Sequence, residues 1–80
     1  MSPSAGAMFP NNLSLYRRNR GFSQRAFADR TELSRMRISL WETGRSLPSM
    51  REAITLMAHL GVTLMELWPN QAHRNLIADT

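Results

Sequence analysis

Apolar residues recur along this chain at the three- and four-residue spacing of amphipathic helices, and no stretch alternates with the two-residue period of a strand. Glycine or proline follows most of the apolar segments, as at helix ends. The pattern therefore predicts an all-α bundle of five short helices. The predicted helices cover residues 12–20, 23–30, 34–42, 49–60 and 63–68.

The residues at the helix boundaries support this assignment. Hydroxyl residues that can accept a hydrogen bond from a first-turn amide begin four of the helices: Ser23, Ser34, Ser49 and Thr63. Glu52 and Glu66 follow the last two at capping-box spacing, and Phe22 precedes the second helix where a hydrophobic staple is placed. Gly21 and Gly61 stand where the first and fourth helices should end.

The inward spacing also predicts the core. The expected buried residues are Leu13, Tyr16, Phe27, Ala28, Leu33, Ile38, Trp41, Ala53, Ile54, Met57, Leu60 and Leu67. Met50 begins the same apolar stripe on the fourth helix, and we interpret the methionines there as core fillers.

Eighty residues allow one domain with a modest core. We expect a disordered leader at residues 1–10, the folded domain at 11–69, and a tail at 70–80 that can form a short helix. The chain has no cysteine and no apolar run long enough to span a bilayer, so a cytoplasmic protein is expected.

The charge balance favours a polyanionic partner. All ten basic side chains are arginines, and the formal net charge is +4. A guanidinium offers planar, bidentate donors that suit phosphate and guanine, although a solvated basic face is an equally simple interpretation of the charge alone.

The second and third helices have the form of a helix-turn-helix motif. Each is short and begins at a hydroxyl residue, and only about three residues separate them. Ala28 and Ile38 are spaced so that the helices can cross closely, and Leu33 can fill the angle between them. Such a pair can hold one helix across a phosphate strand and the next in the major groove, whereas an ordinary short surface helix is the alternative for the third helix.

The sequence resembles the Cro/C1, or lambda-repressor-like, family of helix-turn-helix domains, which includes phage repressors, restriction-modification controllers and antitoxin regulators. The resemblance covers roughly residues 13–68. It depends on matches in the expected order at Arg17, Gly21-Phe22-Ser23-Gln24, Phe27-Ala28, Leu33-Ser34, Ile38-Ser39, Trp41-Glu42-Thr43-Gly44-Arg45, Pro48-Ser49, Leu60-Gly61-Val62 and Leu67.

The resemblance implies a role for particular residues. The side chains expected to read base edges are those of Arg35, Met36, Arg37 and Leu40. Those expected at phosphates are Ser23, Gln24, Ser34, Ser39, Thr43, Gly44 and Arg45, with the loop at 43–45 supplying backbone amides and a basic side chain. Arg17 and Glu42 are expected to form a buried ion pair, the alternative being two unrelated surface charges.

Two features depart from the family pattern. Glu32 stands in the turn where glycine is usual, so it must adopt a left-handed conformation or reshape the turn. Met36 and Leu40 are more apolar than the glutamines common at these positions, so the operator sequence does not follow from the resemblance.

The remaining residues give no candidate for catalysis. No serine or histidine has an evident activating partner, and His59 and His73 lack further ligands at metal spacing, so we expect no enzyme activity, metal, cofactor or small-molecule ligand.

The leading hypothesis is a transcriptional regulator, expected to be a repressor, that binds double-stranded DNA as a homodimer. The alternative is a protein-interaction module, such as an antitoxin-like or controller partner, for which DNA contact is secondary.

Overall fold

The computed structural model describes residues 8–70, and in this range the chain forms five α-helices joined by short connections. The helices are α1 (Leu13–Asn19), α2 (Gln24–Thr31), α3 (Arg35–Glu42), α4 (Met50–Leu60) and α5 (Leu64–Leu67). No β-strand occurs in the described range, and the all-α prediction is confirmed. The predicted leader and tail lie mostly outside the described residues, at 1–7 and 71–80.

Local hydrogen bonds fix where four of the helices begin. Each capping oxygen accepts from the amide three residues on: Ser23 from Ala26, Ser34 from Arg37, Ser49 from Glu52, and Thr63 from Glu66. At α4 and α5 the capping boxes are complete, because Glu52 and Glu66 also accept from the amides of the capping residues. These helix starts are thus encoded in short sequence segments.

α1 begins differently, through contacts with the end of α5. The backbone amide of Asn12 donates to the carbonyl of Leu67 at 2.9 Å, and its side chain donates to the carbonyl of Glu66 at 3.0 Å. The Oδ1 atom of Asn11 accepts from the amide of Leu13 at 3.0 Å. The first and last helices are therefore joined by hydrogen bonds.

The core is one apolar cluster contributed by all five helices. Its buried members are Leu13, Phe27, Ala28, Ile38, Trp41, Leu56, Leu60, Leu67 and Trp68. Phe22 and Phe27 form the staple expected at the start of α2, with ring centres 5.5 Å apart. Both tryptophans are fully buried, so the cluster holds much of its apolar area in two side chains.

The orientation of α4 differs from the prediction. Ile54 is 55% exposed and Met50 is also exposed, whereas Leu56, absent from the expected core, is fully buried beside Leu60. Two overlapping stripes share this helix, and packing against the other helices selects the one that includes Leu56. Three further residues expected to be buried are half-buried and pack against the cluster: Tyr16, Leu33 and Met57.

The start of the domain also lies earlier than predicted. The amides of Met8 and Phe9, which we placed in a disordered leader, both donate to the carbonyl of Gly44 at 3.0 Å. Phe9 packs against the core, and the side-chain amide of Asn11 donates to the carbonyl of Trp41 at 2.7 Å. Residues 8–10 therefore belong to the fold, held there by the end of α3.

α4 ends against the arginine that follows α1. The guanidinium of Arg20 donates from Nε and Nη2 to the carbonyl of Leu60, at 3.2 and 3.0 Å. Gly61 has a φ of 68°, and a Cβ placed there would lie 2.5 Å from the Nη2 atom of Arg20. The left-handed backbone therefore favours glycine here, and a Cβ would also displace the flexible end of the Arg20 side chain. No helix within residues 8–70 is long and apolar enough to cross a membrane.

Candidate nucleic-acid interface

The turn between α2 and α3 depends on the backbone of Glu32. Its φ and ψ are 61° and 28°. Glu32 therefore adopts the left-handed conformation, which was one of the two possibilities that the sequence left open. The buried hydroxyl of Thr31 donates to the carbonyl of Phe27 at 2.8 Å and accepts from the amide of Leu33 at 3.3 Å. These bonds hold the turn and thereby orient α3 against α2.

The first turns of α2 and α3 present donors suited to phosphate. The side chains of Ser23 and Ser34 accept from the third amide of their helices, which leaves the two preceding amides without an intrahelical acceptor. Both serines are exposed, and each hydroxyl retains its hydrogen for donation while its oxygen caps the helix. The positive end of each helix dipole adds to this preference for an anion.

An exposed stripe on α3 carries three of the four expected base-reading side chains. Met36 is 74% exposed and Leu40 is 38% exposed, one turn further along the helix. Arg35 is exposed at the first helical position, and Ser39 is half-buried between the two apolar residues. A guanidinium beside exposed apolar groups can contact guanine and thymine methyl groups, the chemistry required to read bases.

Arg37, the fourth expected reader, is already paired in the structure. Its Nε and Nη2 atoms each lie 2.8 Å from an oxygen of Glu52, and its Cζ atom lies 5.4 Å from the centre of the Trp41 ring. The hydrogen bond from Arg37 is the largest cause that lowers the pKa of Glu52, and the same bond raises the pKa of Arg37. In the unbound chain the guanidinium therefore bonds to α4, and the expectation that Arg37 reads a base stays a prediction.

Glu52 is the residue of this surface that sequence reasoning missed. The capping-box spacing gave it a role at the start of α4, and the structure keeps that role through the amide of Ser49. Its second role, the pairing with Arg37, depends on the position of α4 beside α3, and no local signal in the sequence contains that information.

A buried network fixes both ends of the motif. The Nε atom of Arg17 lies 2.6 Å from Oε2 of Glu42, and the two side chains are only 9% and 6% exposed. Gln24 donates from Nε2 to Oε1 of Glu42 at 2.9 Å, and Arg17 also donates to the carbonyl of Phe22 at 2.7 Å. Arg17 and Glu42 therefore form a buried ion pair and not two unrelated surface charges. Together with Gln24, the pair joins α1, the start of α2 and the end of α3.

Gln24 can still serve a phosphate while it takes part in this network. A side-chain amide carries two hydrogens, and the bond to Glu42 uses one of them. The resemblance implied that this residue both supports α3 and donates to phosphate, and the geometry is compatible with both.

The loop after α3 offers fewer donors than the resemblance implied. The amides of Thr43, Gly44 and Arg45 already donate to carbonyls of Ser39, Trp41 and Leu40. The hydroxyl of Thr43 donates to the carbonyl of Ser39 at 2.9 Å, and Gly44 is buried. These amides are therefore engaged within the unbound chain, and the exposed side chain of Arg45 is the donor that this loop presents. The phosphate contacts expected at Thr43 and Gly44 stay predictions.

Within residues 8–70 no three side chains among histidine, cysteine, aspartate and glutamate lie close enough together to hold an ion.

Comparison with known proteins agrees with this geometry. A family model described as helix-turn-helix matches residues 13–67, which span α1 to α5. This chain belongs to that helix-turn-helix family. The resemblance to Cro/C1-type domains expected from the sequence is confirmed, and DNA-binding transcription regulation is the class of function that the family supports.

A solved structure shares the fold of this helix-turn-helix domain. The crystal structure of the hypothetical transcription factor NHTF from Neisseria is similar to it with a TM-score of 0.62, over 95% of this chain and 99% of that chain. The sequences are 24% identical, so this similarity establishes the shared fold alone. No curated protein sequence matches the chain.

Proposed function

We propose that this chain is a sequence-specific repressor that reads a two-fold operator with α3 in the major groove. The observation that carries the proposal is the exposed stripe of Arg35, Met36 and Leu40 on a helix whose opposite face is buried. Because Ile38 and Trp41 fix that opposite face in the core, the stripe is presented on a rigid element, as direct base readout requires.

Other side chains around the motif are proposed to position the domain on the sugar-phosphate backbone. They are Ser23, Gln24, Ser34, Ser39 and Arg45. Contacts of this kind set register and orientation but carry no sequence information, whereas the α3 stripe supplies it. Occupancy of the operator then represses transcription by excluding other proteins from the same DNA.

We further propose that the active form on DNA is a homodimer. One recognition helix contacts only a few base pairs, so two half-sites are needed for a selective operator. The proposed dimer contact comprises the end of α4 and α5, where Met65 is 59% exposed. The tail at 70–80 is proposed to extend this contact, and its residues from 71 on lie outside the described range.

The experiment begins with selection of bound sequences from a random duplex library by the full chain. Binding isotherms for Arg35→Ala and Leu40→Ala are then measured on the selected duplex and on a scrambled duplex. Each variant should lose preference at one or two base pairs, and loss of a bidentate guanine contact by Arg35→Ala should cost about 1 to 3 kcal/mol on the selected duplex.

Arg45→Ala separates positioning from readout in the same assay. It should weaken binding to the selected and scrambled duplexes alike and reduce the salt slope by about one, since one phosphate contact is removed. Arg18→Ala is the matched control, because it removes an exposed arginine from α1, away from the motif.

Two results would contradict the proposal. If Arg35→Ala and Leu40→Ala both leave the selected-to-scrambled ratio unchanged, α3 is not the reading element. If the parent chain shows no salt-dependent binding to any duplex, the domain is a protein-interaction module instead.

A further inference from the structure

The contact between Arg37 and Glu52, which we call the α3–α4 clamp, occupies one whole edge of the guanidinium. Nε and Nη2 of Arg37 donate to separate oxygens of Glu52 at 2.8 Å, which is the bidentate geometry that makes arginine pairs specific. Glu52 is held in place by a second bond, because its Oε1 atom also accepts from the amide of Ser49 at 2.8 Å. The Glu52 carboxylate is thus fixed to the first turn of α4 by a bond that does not involve Arg37.

The clamp directs Arg37 away from the reading stripe. At 100° per residue, Arg37 lies about 40° from Trp41 and about 60° from Leu40 around α3, so its side-chain contacts and not its place on the helix decide where the guanidinium lies. The guanidinium lies over the ring of Trp41, which is fully buried, so the side chain follows the flank of α3 that meets α4. Arginine stacks well on aromatic faces, and this contact adds to the carboxylate in holding the side chain there.

Glu52 also compensates the positive charge of Arg37, in addition to fixing the position of its guanidinium. The Glu52 side chain is 19% exposed, and its carboxylate places a full negative charge beside an arginine on the surface that would meet DNA. An arginine whose charge is already paired releases little counterion from DNA, and a carboxylate beside it repels phosphate.

We propose that Glu52 is a specificity-determining positioning residue that holds Arg37 against α4, so that α3 reads DNA with Arg35, Met36 and Leu40. This inference depends on the proposed function of α3 as the reading helix. An unpaired arginine on this surface would contact backbone phosphates of DNA of any sequence. The clamp removes that non-selective contact.

Glu52→Gln is the decisive variant, because it keeps the size of the side chain but removes its charge. Freed Arg37 should add one phosphate contact. Affinity for the scrambled duplex should rise roughly five- to tenfold at about 0.1 M salt, and the salt slope should steepen by about 0.9. The selected duplex should gain less, so the selected-to-scrambled ratio should fall.

The matched control is the same substitution made in a chain that has no guanidinium at position 37. In the Arg37→Gln chain, Glu52→Gln removes the same negative charge and the same capping carboxylate of Ser49, but there is no arginine to release. In that background Glu52→Gln should change the scrambled-duplex affinity and the salt slope far less than it does in the parent chain.

Three results would overturn the proposal. The first is a Glu52→Gln substitution that changes duplex binding equally in the parent chain and in the Arg37→Gln chain. The second is a Glu52→Gln chain that weakens on the selected duplex alone, since Glu52 would then aim Arg37 at a base. The third is an Arg37→Gln chain that loses preference at a base pair, and this test stands even if Glu52→Gln fails to fold. Absence of duplex binding by the parent chain would instead remove the proposed function and this inference with it.

Discussion

At the scale of single residues, Glu32 occupies a backbone conformation that is unfavourable for a side chain with a Cβ. The left-handed region costs roughly 1 to 2 kcal/mol for such a residue. Glu32→Gly should remove that cost, although glycine gives the unfolded chain additional freedom. We expect the free energy of unfolding to rise by about 0.5 to 1 kcal/mol, measured by urea denaturation.

The control for this prediction is Glu32→Ala, which removes the carboxylate but keeps the Cβ. Alanine should leave stability close to that of the parent chain, because the backbone cost remains. Equal stabilisation by alanine and glycine would assign the effect to charge, and the prediction about the turn would be wrong.

Glu42 is the residue on which the buried network converges. It accepts from two atoms of Arg17 and from Gln24, and its side chain is almost inaccessible to water. Glu42→Ala should therefore reduce the free energy of unfolding by about 3 to 5 kcal/mol, because the Arg17 guanidinium remains buried without its counterion. Chemical denaturation of the two chains measures this loss.

The double variant Arg17→Met with Glu42→Leu distinguishes a stranded charge from a lost attraction. Replacing both partners with apolar side chains leaves no unpaired charge, so the double variant should be more stable than Glu42→Ala alone. A thermal midpoint for Glu42→Ala within a degree or so of the parent would contradict the buried pair itself.

At the scale of helices, the sequence predicts starts and ends better than it predicts orientation. The capping oxygen of Ser49 and the glycine after Leu60 are signals contained in a few adjacent residues, so the limits of α4 could be predicted. The face that α4 buries could not, because Ile54 and Leu56 both fit an apolar stripe. Only packing against the other helices places Leu56 inside.

The clamp between α3 and α4 makes stability depend on pH. The pKa of Glu52 is lowered from 4.5, first by the hydrogen bond from Arg37, so folding favours the ionised carboxylate. Its contribution is complete above pH 4.5 and is lost as the pH falls through the lower pKa of the folded state. The free energy of unfolding should therefore fall with acidification in that window.

Two variants test the assignment of this acid loss to the clamp. Glu52→Gln has no group to titrate, and Arg37→Gln lacks the donor that lowers the pKa, so both should show a shallower loss of stability below pH 4.5 than the parent chain. Urea denaturation at a series of pH values measures the slopes. Identical slopes in all three chains would show that other carboxylates cause the acid transition.

At the scale of the whole molecule, the sequence indicates which helix is exposed to a partner but not which of its side chains pair with other helices. The family resemblance and the helical spacing place Arg35, Met36, Arg37 and Leu40 on α3, and all four are exposed. The pairing of Arg37 depends on a residue fifteen positions away on another helix. Contacts of this range follow from the packing of elements and not from a local pattern.

The stoichiometry on DNA is the prediction that involves the complete molecule. Two recognition helices one helical turn apart would contact enough base pairs to discriminate an operator, and the exposed Met65 of α5 lies on the surface proposed to join the protomers. Sedimentation of the full chain with a selected duplex should show two protomers per DNA at saturation. Met65→Asp should weaken assembly on the duplex, because it places a charge in an apolar contact, while Leu15→Asp on the exposed face of α1 should leave assembly unchanged. One protomer per duplex at saturation would refute the homodimer.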